Sequence, residues 1–285
     1  MNNRTLAQLV DSLEPVTLDE LDDKAKLHTR KDRKYLVAPD VLTSVIGELS
    51  PSMQALDVDG IRWFSYGSLY FDTPDLVSYR MAATRRALRF KVRTRTYFDS
   101  KTVMVELKTK NRRGKTVKVR QSLPYATEGH IEATRTFAAR FPSVALYASA
   151  LDPVLAVWYR RSTVAFEEPG VRATIDKGYQ ACASGGTASC GDQYIVETKS
   201  SGKPGPLDRR LWRAGVRPVK VSKYTTGLAA IRPELPSNRW HRVLRNFSTE
   251  TEPSSVANPL THPAFDQVPD HRSTRVFDLA ATHLS

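Results

Sequence analysis

Residues 89–97 (RFKVRTRTY) carry the densest chemistry in the chain: Arg89, Lys91, Arg93 and Arg95 recur at every second position, with Phe90, Val92 and Thr94 between them. Alternate residues of a β-strand point to opposite faces, so this pattern sets four cations along one face. Same-face neighbours lie roughly 7 Å apart, and at an effective dielectric of about 20 each pair repels by on the order of 2 kcal/mol. Stability alone would not select such a face, whereas a site for a polyanion would. The pattern recurs: Arg30, Asp32 and Lys34 share a face, as do Glu106, Lys108 and Lys110, and Lys118 and Arg120. Arg172 and Glu197 sit in otherwise apolar stretches. One charged face is ordinarily a solvated exterior. Repetition over five or more strands instead points to an interior lined by cations with a few carboxylates among them. Arginine forks bind phosphate oxygens bidentately, lysines supply point charge, and a carboxylate can hold a divalent metal that bridges phosphates.

The elements that must position these residues are mostly strands. Apolar alternation and turn signals predict strands over 28–37, 63–71, 87–97, 102–110, 115–123, 156–166, 171–176 and 194–199. Helices are expected from Pro39-Asp40 onward, after Asp72-Thr73-Pro74 through Tyr79, across 129–151, over 207–214 and over 222–231. Residues 1–24 divide into a short amphipathic helix (Leu6, Leu9, Val10, Leu13) and an acidic linker, and the tail 248–285 is expected to be disordered. Many antiparallel strands with a few helices define an α+β fold whose sheet closes, or nearly closes, on itself. Tyr66, Tyr70, Phe71, Tyr79, Trp158 and Trp212 are read as core residues, and Ser222 as a helix N-cap. Lys220 and Lys223 stand three apart at that helix entrance, spaced to share a face.

A net charge of +13 and a pI near 9.8 call for an acidic partner, which could be nucleic acid, anionic lipid or a phosphorylated small molecule. Nucleic acid is the least favoured, because the cations alternate along strands instead of clustering on a recognition helix. The 40% hydrophobic content supports a real core, no apolar run has transmembrane length, and the N-terminus lacks a secretory core, so the cytoplasm is expected. Cys182 and Cys190 are spaced to close a loop disulfide, but two free thiols in a flexible hairpin is the preferred reading. None of the six histidines has a catalytic setting, and His28 is read as a strand-end polar residue.

Taken in order, RKDRKYLV (30–37), SLYFDTPDLVSYR (68–80), RFKVRTRTY (89–97), VELKTKNRRGKTVKVR (105–120), YRRSTVAF (159–166), VRATID (171–176), IVETK (195–199) and KVSKYTTG (220–227) resemble the VTC domain, the polyphosphate-polymerase domain of the vacuolar transporter chaperone complex and a member of the triphosphate tunnel (CYTH-like) superfamily. The resemblance spans roughly residues 25–245. It implies an eight-stranded antiparallel β-barrel with flanking helices, a triphosphate tunnel over residues 25–247. It also implies transfer of the γ-phosphate of ATP onto inorganic polyphosphate, with release of ADP.

Carried over by motif, Arg93, Arg95, Lys108, Arg161, Arg172 and Lys223 would act on the reacting phosphates, and Arg30, Lys34 and Lys220 would bind phosphate with them. Lys91, Lys118 and Arg120 join as additions, Glu197 matches the glutamate that binds Mn²⁺ or Mg²⁺, and Arg160 competes with Arg161 for its register. Hydrolases and cyclases of the wider superfamily carry ExExK on the first strand, where this chain has Arg30, Asp32 and Lys34. More cations and fewer metal carboxylates favour holding a phosphate chain over activating water. A hydrolase of tripolyphosphate or nucleoside triphosphates and a non-catalytic polyphosphate-binding module are the alternatives. Any transport of product would require a separate membrane partner.

Overall fold

The computed structural model describes residues 4–24, 31–112, 114–125, 130–168 and 170–251. Helix α1 (Leu6–Asp11) opens on a capping box in which Thr5 and Gln8 satisfy each other's backbone N–H groups. The expected acidic linker is instead strand β1 (Glu14–Val16) and helix α2 (Leu18–Lys24), whose Asp19 and Glu20 favour the positive end of the helix dipole. Strand β2 (Lys31–Val37) leads into α3 (Pro39–Leu49), with proline in its first turn, and then into β3 (Met53–Leu56).

Strand β4 (Phe64–Asp72) and helix α4 (Val77–Ala83) precede the meander of β5 (Phe90–Tyr97), β6 (Thr102–Lys110) and β7 (Thr116–Leu123). The helix expected across 129–151 is shorter: α5 (His130–Ala139) stops before Pro142, and Ala145–Ala150 forms a 3₁₀ turn. Strands β8 (Asp152–Phe166), β9 (Arg172–Ala183), β10 (Gly186–Ser189) and β11 (Tyr194–Ser200) follow, then α6 (Pro206–Arg213), α7 (Lys223–Ile231), α8 (His241–Leu244) and β12 (Ser248–Glu250). The tail expected to be disordered thus begins as a strand paired with β10, and its remainder from residue 252 lies outside the described residues.

Eight strands form a continuous antiparallel wall in the order β2, β11, β9, β8, β4, β5, β6, β7. Short strands extend it: β3 joins β8, β1 joins β3 in parallel, and β10 and β12 continue from β9. The wall is not closed into the expected barrel, since among the described residues no ladder joins β2 to β7. The two edges carry Lys31 and Lys34 on one side and Lys118 and Arg120 on the other, and like charge opposes zipping them together. Strand β7 is also exposed along most of its length, so it has little apolar area to drive closure.

The convex face of β4–β7 buries Phe71, Val92, Val105 and Leu107 beneath Phe137 of α5, while α1, α3 and α6 cover β2, β9 and β11. The concave face is filled at one end by α7, which packs on Tyr70, Leu155, Tyr159, Tyr179 and Ile195. One buried carboxylate anchors this plug: Asp72 accepts the N–H groups of Thr73, Ser78 and Tyr79 and, at 2.5 Å, the hydroxyl of Tyr224. Neither cysteine is in a disulfide, as expected, but both are buried: Cys190 belongs to the core around α7, where burial pushes its thiol up to about 11.

Close approach of α7 depends on Gly227, where an added Cβ would meet the Tyr179 hydroxyl at 2.3 Å and the Ala181 side chain at 3.0 Å. Gly227→Ala is expected to destabilise the fold by about 2 kcal/mol through overpacking, read as a lower midpoint in urea unfolding. An unchanged midpoint would mean that the plug is not seated this tightly. Among the described residues no helix is long and apolar enough to cross a membrane.

Candidate functional site

Strand parity gathers the charged residues on the concave face. Tyr66, Ser68 and Tyr70 of β4 stand beside Lys91, Arg93 and Arg95 of β5, which stand beside Met104, Glu106 and Lys108 of β6. On the other half, Lys34 of β2 is in register with Glu197 of β11, and Asp176 of β9 with Arg161 of β8.

Three buried or half-buried carboxylates each sit between two cations. Glu106 accepts from Arg93 Nε at 2.7 Å and Nη2 at 2.5 Å, and its other oxygen lies 2.5 Å from Lys118 Nζ. Asp176 is forked by Arg161 at 2.5 and 2.9 Å and also receives Lys223 Nζ from the start of α7. Glu197 lies 3.2 Å from Lys34 Nζ and 3.7 Å from Lys199 Nζ. Burial alone would raise all three carboxyls, but the flanking cations outweigh it. Asp176 is held down to about 2, and Glu106 and Glu197 lie well below the usual range. All three are anionic at neutral pH and fix the cation heads in place.

Arg95, Lys91 and Lys108 on this face have no carboxylate within ion-pair distance among the described residues. Arg95 is buried, with its guanidinium 5.5 Å from the Tyr66 ring centroid and 5.9 Å from that of Tyr97, and its Nε has no hydrogen-bond partner. Lys91 donates to Ser222 Oγ at 2.6 Å, and burial followed by the charges of Lys34 and Lys108 lowers its pKa. Burial and Lys34 lower Lys108 likewise, and burial brings Lys199 down to about 8 against the pull of Glu197. Tyr159 lies among these groups, its ring stacked 5.4 Å from Tyr66 and its hydroxyl buried without a partner. Although burial opposes it, Arg95, Arg161 and Lys223 pull its phenol below the ordinary value.

Most residues singled out in the sequence converge here: Lys34, Lys91, Arg93, Arg95, Lys108, Lys118, Arg161, Glu197 and Lys223. Arg172 is in register with Lys199 along the same face, and Arg120 with Glu106 at the exposed β7 edge. Arg30 and His28 lie outside the described residues. Of the competing pair, Arg161 stands on the concave face against Asp176, whereas Arg160 donates to the backbone oxygen of Trp63 at 3.3 Å.

Lys220 and Lys223 do not share a face: Lys223 reaches Asp176, while Lys220 is exposed before the Ser222 cap. Tyr66 and Tyr70 are more than core. Tyr66 lies under two guanidiniums, and Tyr70 accepts from Arg93 Nη1 at 3.0 Å. Sequence reasoning passed over Tyr159, Asp176 and Lys199, although each stands at the end of a motif already singled out, two residues from an assigned Arg161 or Glu197 or four from Arg172.

Among the described residues no group of three His, Cys, Asp or Glu side chains gathers to cage a metal. Glu197 is nevertheless an ionised carboxylate beside the cations Lys34 and Lys199. It fits a Mg²⁺ or Mn²⁺ held by one carboxylate, with phosphate oxygens and water completing the shell.

The VTC domain matches residues 29–232, so the chain belongs to the VTC-domain family. None of the curated proteins compared with it matches. Similar solved structures include the PH1819 protein of Pyrococcus horikoshii OT3, at 14% identity and a TM-score of 0.43 over 72% of this chain and 98% of that one. Another is HpAC1 from Hippeastrum, an adenylyl cyclase candidate with a dominant triphosphatase activity, at 16% identity and a TM-score of 0.43 over 73% and 98%.

Proposed function

We propose that the chain is an ATP-dependent polyphosphate polymerase. In this reading a terminal oxygen of polyphosphate attacks the γ-phosphorus of ATP, the bond from that phosphorus to the bridging β–γ oxygen breaks, and ADP leaves. The attacking oxygen is already anionic, so no general base is needed. The main barrier is repulsion between two polyanions brought into line, which preorganised cations lower.

The observation that carries the reading is the clamping of Glu106 and Asp176 between cations, which leaves Arg95, Lys91 and Lys108 uncompensated for phosphate. Carboxylates so engaged position arginines and lysines; they do not activate water. Arg93, Arg161 and Lys223, each held by its carboxylate, orient the transferred phosphoryl group. Lys34, Lys108, Lys118, Arg120, Arg172 and Lys220 bind the flanking phosphates. Glu197 would hold Mn²⁺ or Mg²⁺, which when bound neutralises phosphate charge beside Lys34.

Incubation with ATP, Mn²⁺ and a short polyphosphate primer should give a lengthening ladder on a polyphosphate-stained gel. Orthophosphate release without a ladder would make the chain a hydrolase. Retained polyphosphate with no turnover would make it a binding module.

Charge regulation gives a pH signature. A bound polyanion raises the depressed lysines, so binding takes up protons and affinity falls as pH rises through about 8, the Lys199 value. The free protein behaves oppositely. Its unfolded chain binds more protons between about 8 and the ordinary 10.5, so the Lys199 contribution to stability rises with pH across that window. Calorimetric titration of long-chain polyphosphate at about pH 8, in two buffers of different ionisation enthalpy, should show net proton uptake. Zero or negative uptake would contradict the account.

A further inference from the structure

We propose a second polyanion subsite at the edge of the concave face, beside β2 and β5, that holds the part of a long polyphosphate chain lying beyond the reacting phosphates. This rests on the reading of the concave face as a polyphosphate site. A cavity of about 750 Å³ opens there, continuous with that face through Lys34 and Lys91. Its outer wall is built by Lys31, Arg89, Lys220 and Arg239, none of which lies among the clamped pairs, and Asp32 is the one carboxylate among its described lining residues.

Two residues lining this cavity carry a buried donor that has no partner among the described residues. Arg239 Nε has no partner, although the same guanidinium is fixed at the rim by donating through Nη1 to the Ala82 backbone oxygen at 2.7 Å. Thr225 Oγ1, in the first turn of α7 and 1% exposed, also has none. Buried polar atoms without partners are costly, and a site that leaves two of them beside a row of cations is completed by an acceptor-rich anion.

The chemistry favours phosphate over a nucleotide base. Trp240 is 4% exposed, so its ring is not free to stack on a base. The cations continue directly from Lys34 and Lys91, so a chain too long for the concave site reaches this subsite next. A short ligand would not reach it.

The test is a comparison of ligand lengths. Arg89→Glu and, separately, Arg239→Gln are titrated with tripolyphosphate, long-chain polyphosphate and a non-hydrolysable ATP analogue, beside Arg93→Ala. The expected result is a loss of about tenfold in affinity for the long chain, equivalent to about 1.4 kcal/mol, with tripolyphosphate unchanged. Equal loss for both lengths would place Arg89 in the central site and overturn the proposal, as would no loss for either. A loss confined to the ATP analogue would overturn it by placing the nucleotide there. Failure of the concave-site reading itself shows separately, as an Arg93→Ala variant that still binds tripolyphosphate normally. Arg89 is partly exposed and donates only to the Arg86 backbone oxygen, so its replacement leaves the fold intact even if loss of the Ala82 contact weakens the Arg239 variant.

Discussion

Arg93→Ala is expected to lower the rate of ATP-dependent chain elongation by about 10³-fold, the scale seen when a preorganised charge donor is removed from a transition state. Arg93 lies mid-strand on β5, in register with Tyr70 on one side and Glu106 on the other. Glu106 grips Nε and Nη2, and the Tyr70 hydroxyl takes Nη1, so the fork is held in one orientation before substrate arrives. That preorganisation separates Arg93 from a surface arginine, which must order its side chain as it binds. Arg93→Lys keeps the charge and loses the fork, so it should recover only a minor part of the rate. Initial rates of ADP release with primer present measure both variants. An Arg93→Ala enzyme within tenfold of the parent would contradict the assignment.

The second large effect concerns a residue outside the sequence-derived set. Asp176→Asn keeps the shape of the side chain but leaves Arg161 and Lys223 partly buried beside a neutral amide. Breaking a buried pair in this way costs about 3 kcal/mol or more. The variant is expected to unfold at a lower temperature and to be restored by long-chain polyphosphate by more than the parent is stabilised, because phosphate oxygens replace the missing carboxylate. The sign with pH follows from the folded value of about 2 against an ordinary 3.8. The Asp176 contribution is complete above the ordinary value and is lost as pH falls through the folded one, so variant and parent should converge in strong acid. Equal melting temperatures at neutral pH, or equal polyphosphate shifts, would show that Asp176 does not hold these cations.

The parts of the fold legible in the sequence were those with a strong period. Alternation in β5 and β6 placed Lys91, Arg93, Arg95, Glu106 and Lys108 on one face before any coordinates, and the register bears that out. Strands β3 and β10 were missed because four residues, two of them in β10 the small Gly186 and Ala188, carry too little pattern to separate a strand from a turn. Openness of the wall was not legible either, since it depends on how β2 and β7 meet, and those segments are 79 or more residues apart in the chain. At the site, the cations were visible through their spacing. The carboxylate in VRATID was not: a single Asp176 after an apolar run reads as a strand end, and only the fold brings Arg161 and Lys223 onto it. The separate destinations of Lys220 and Lys223 were hidden for a similar reason, because the helix begins at Lys223 and residue 220 precedes the cap.

The most direct measurement follows the γ-phosphorus. With ATP labelled at that position, Mn²⁺ and unlabelled primer, the account predicts label in acid-stable chains in step with ADP, and almost none as orthophosphate. Label recovered as orthophosphate while the primer keeps its length would contradict it.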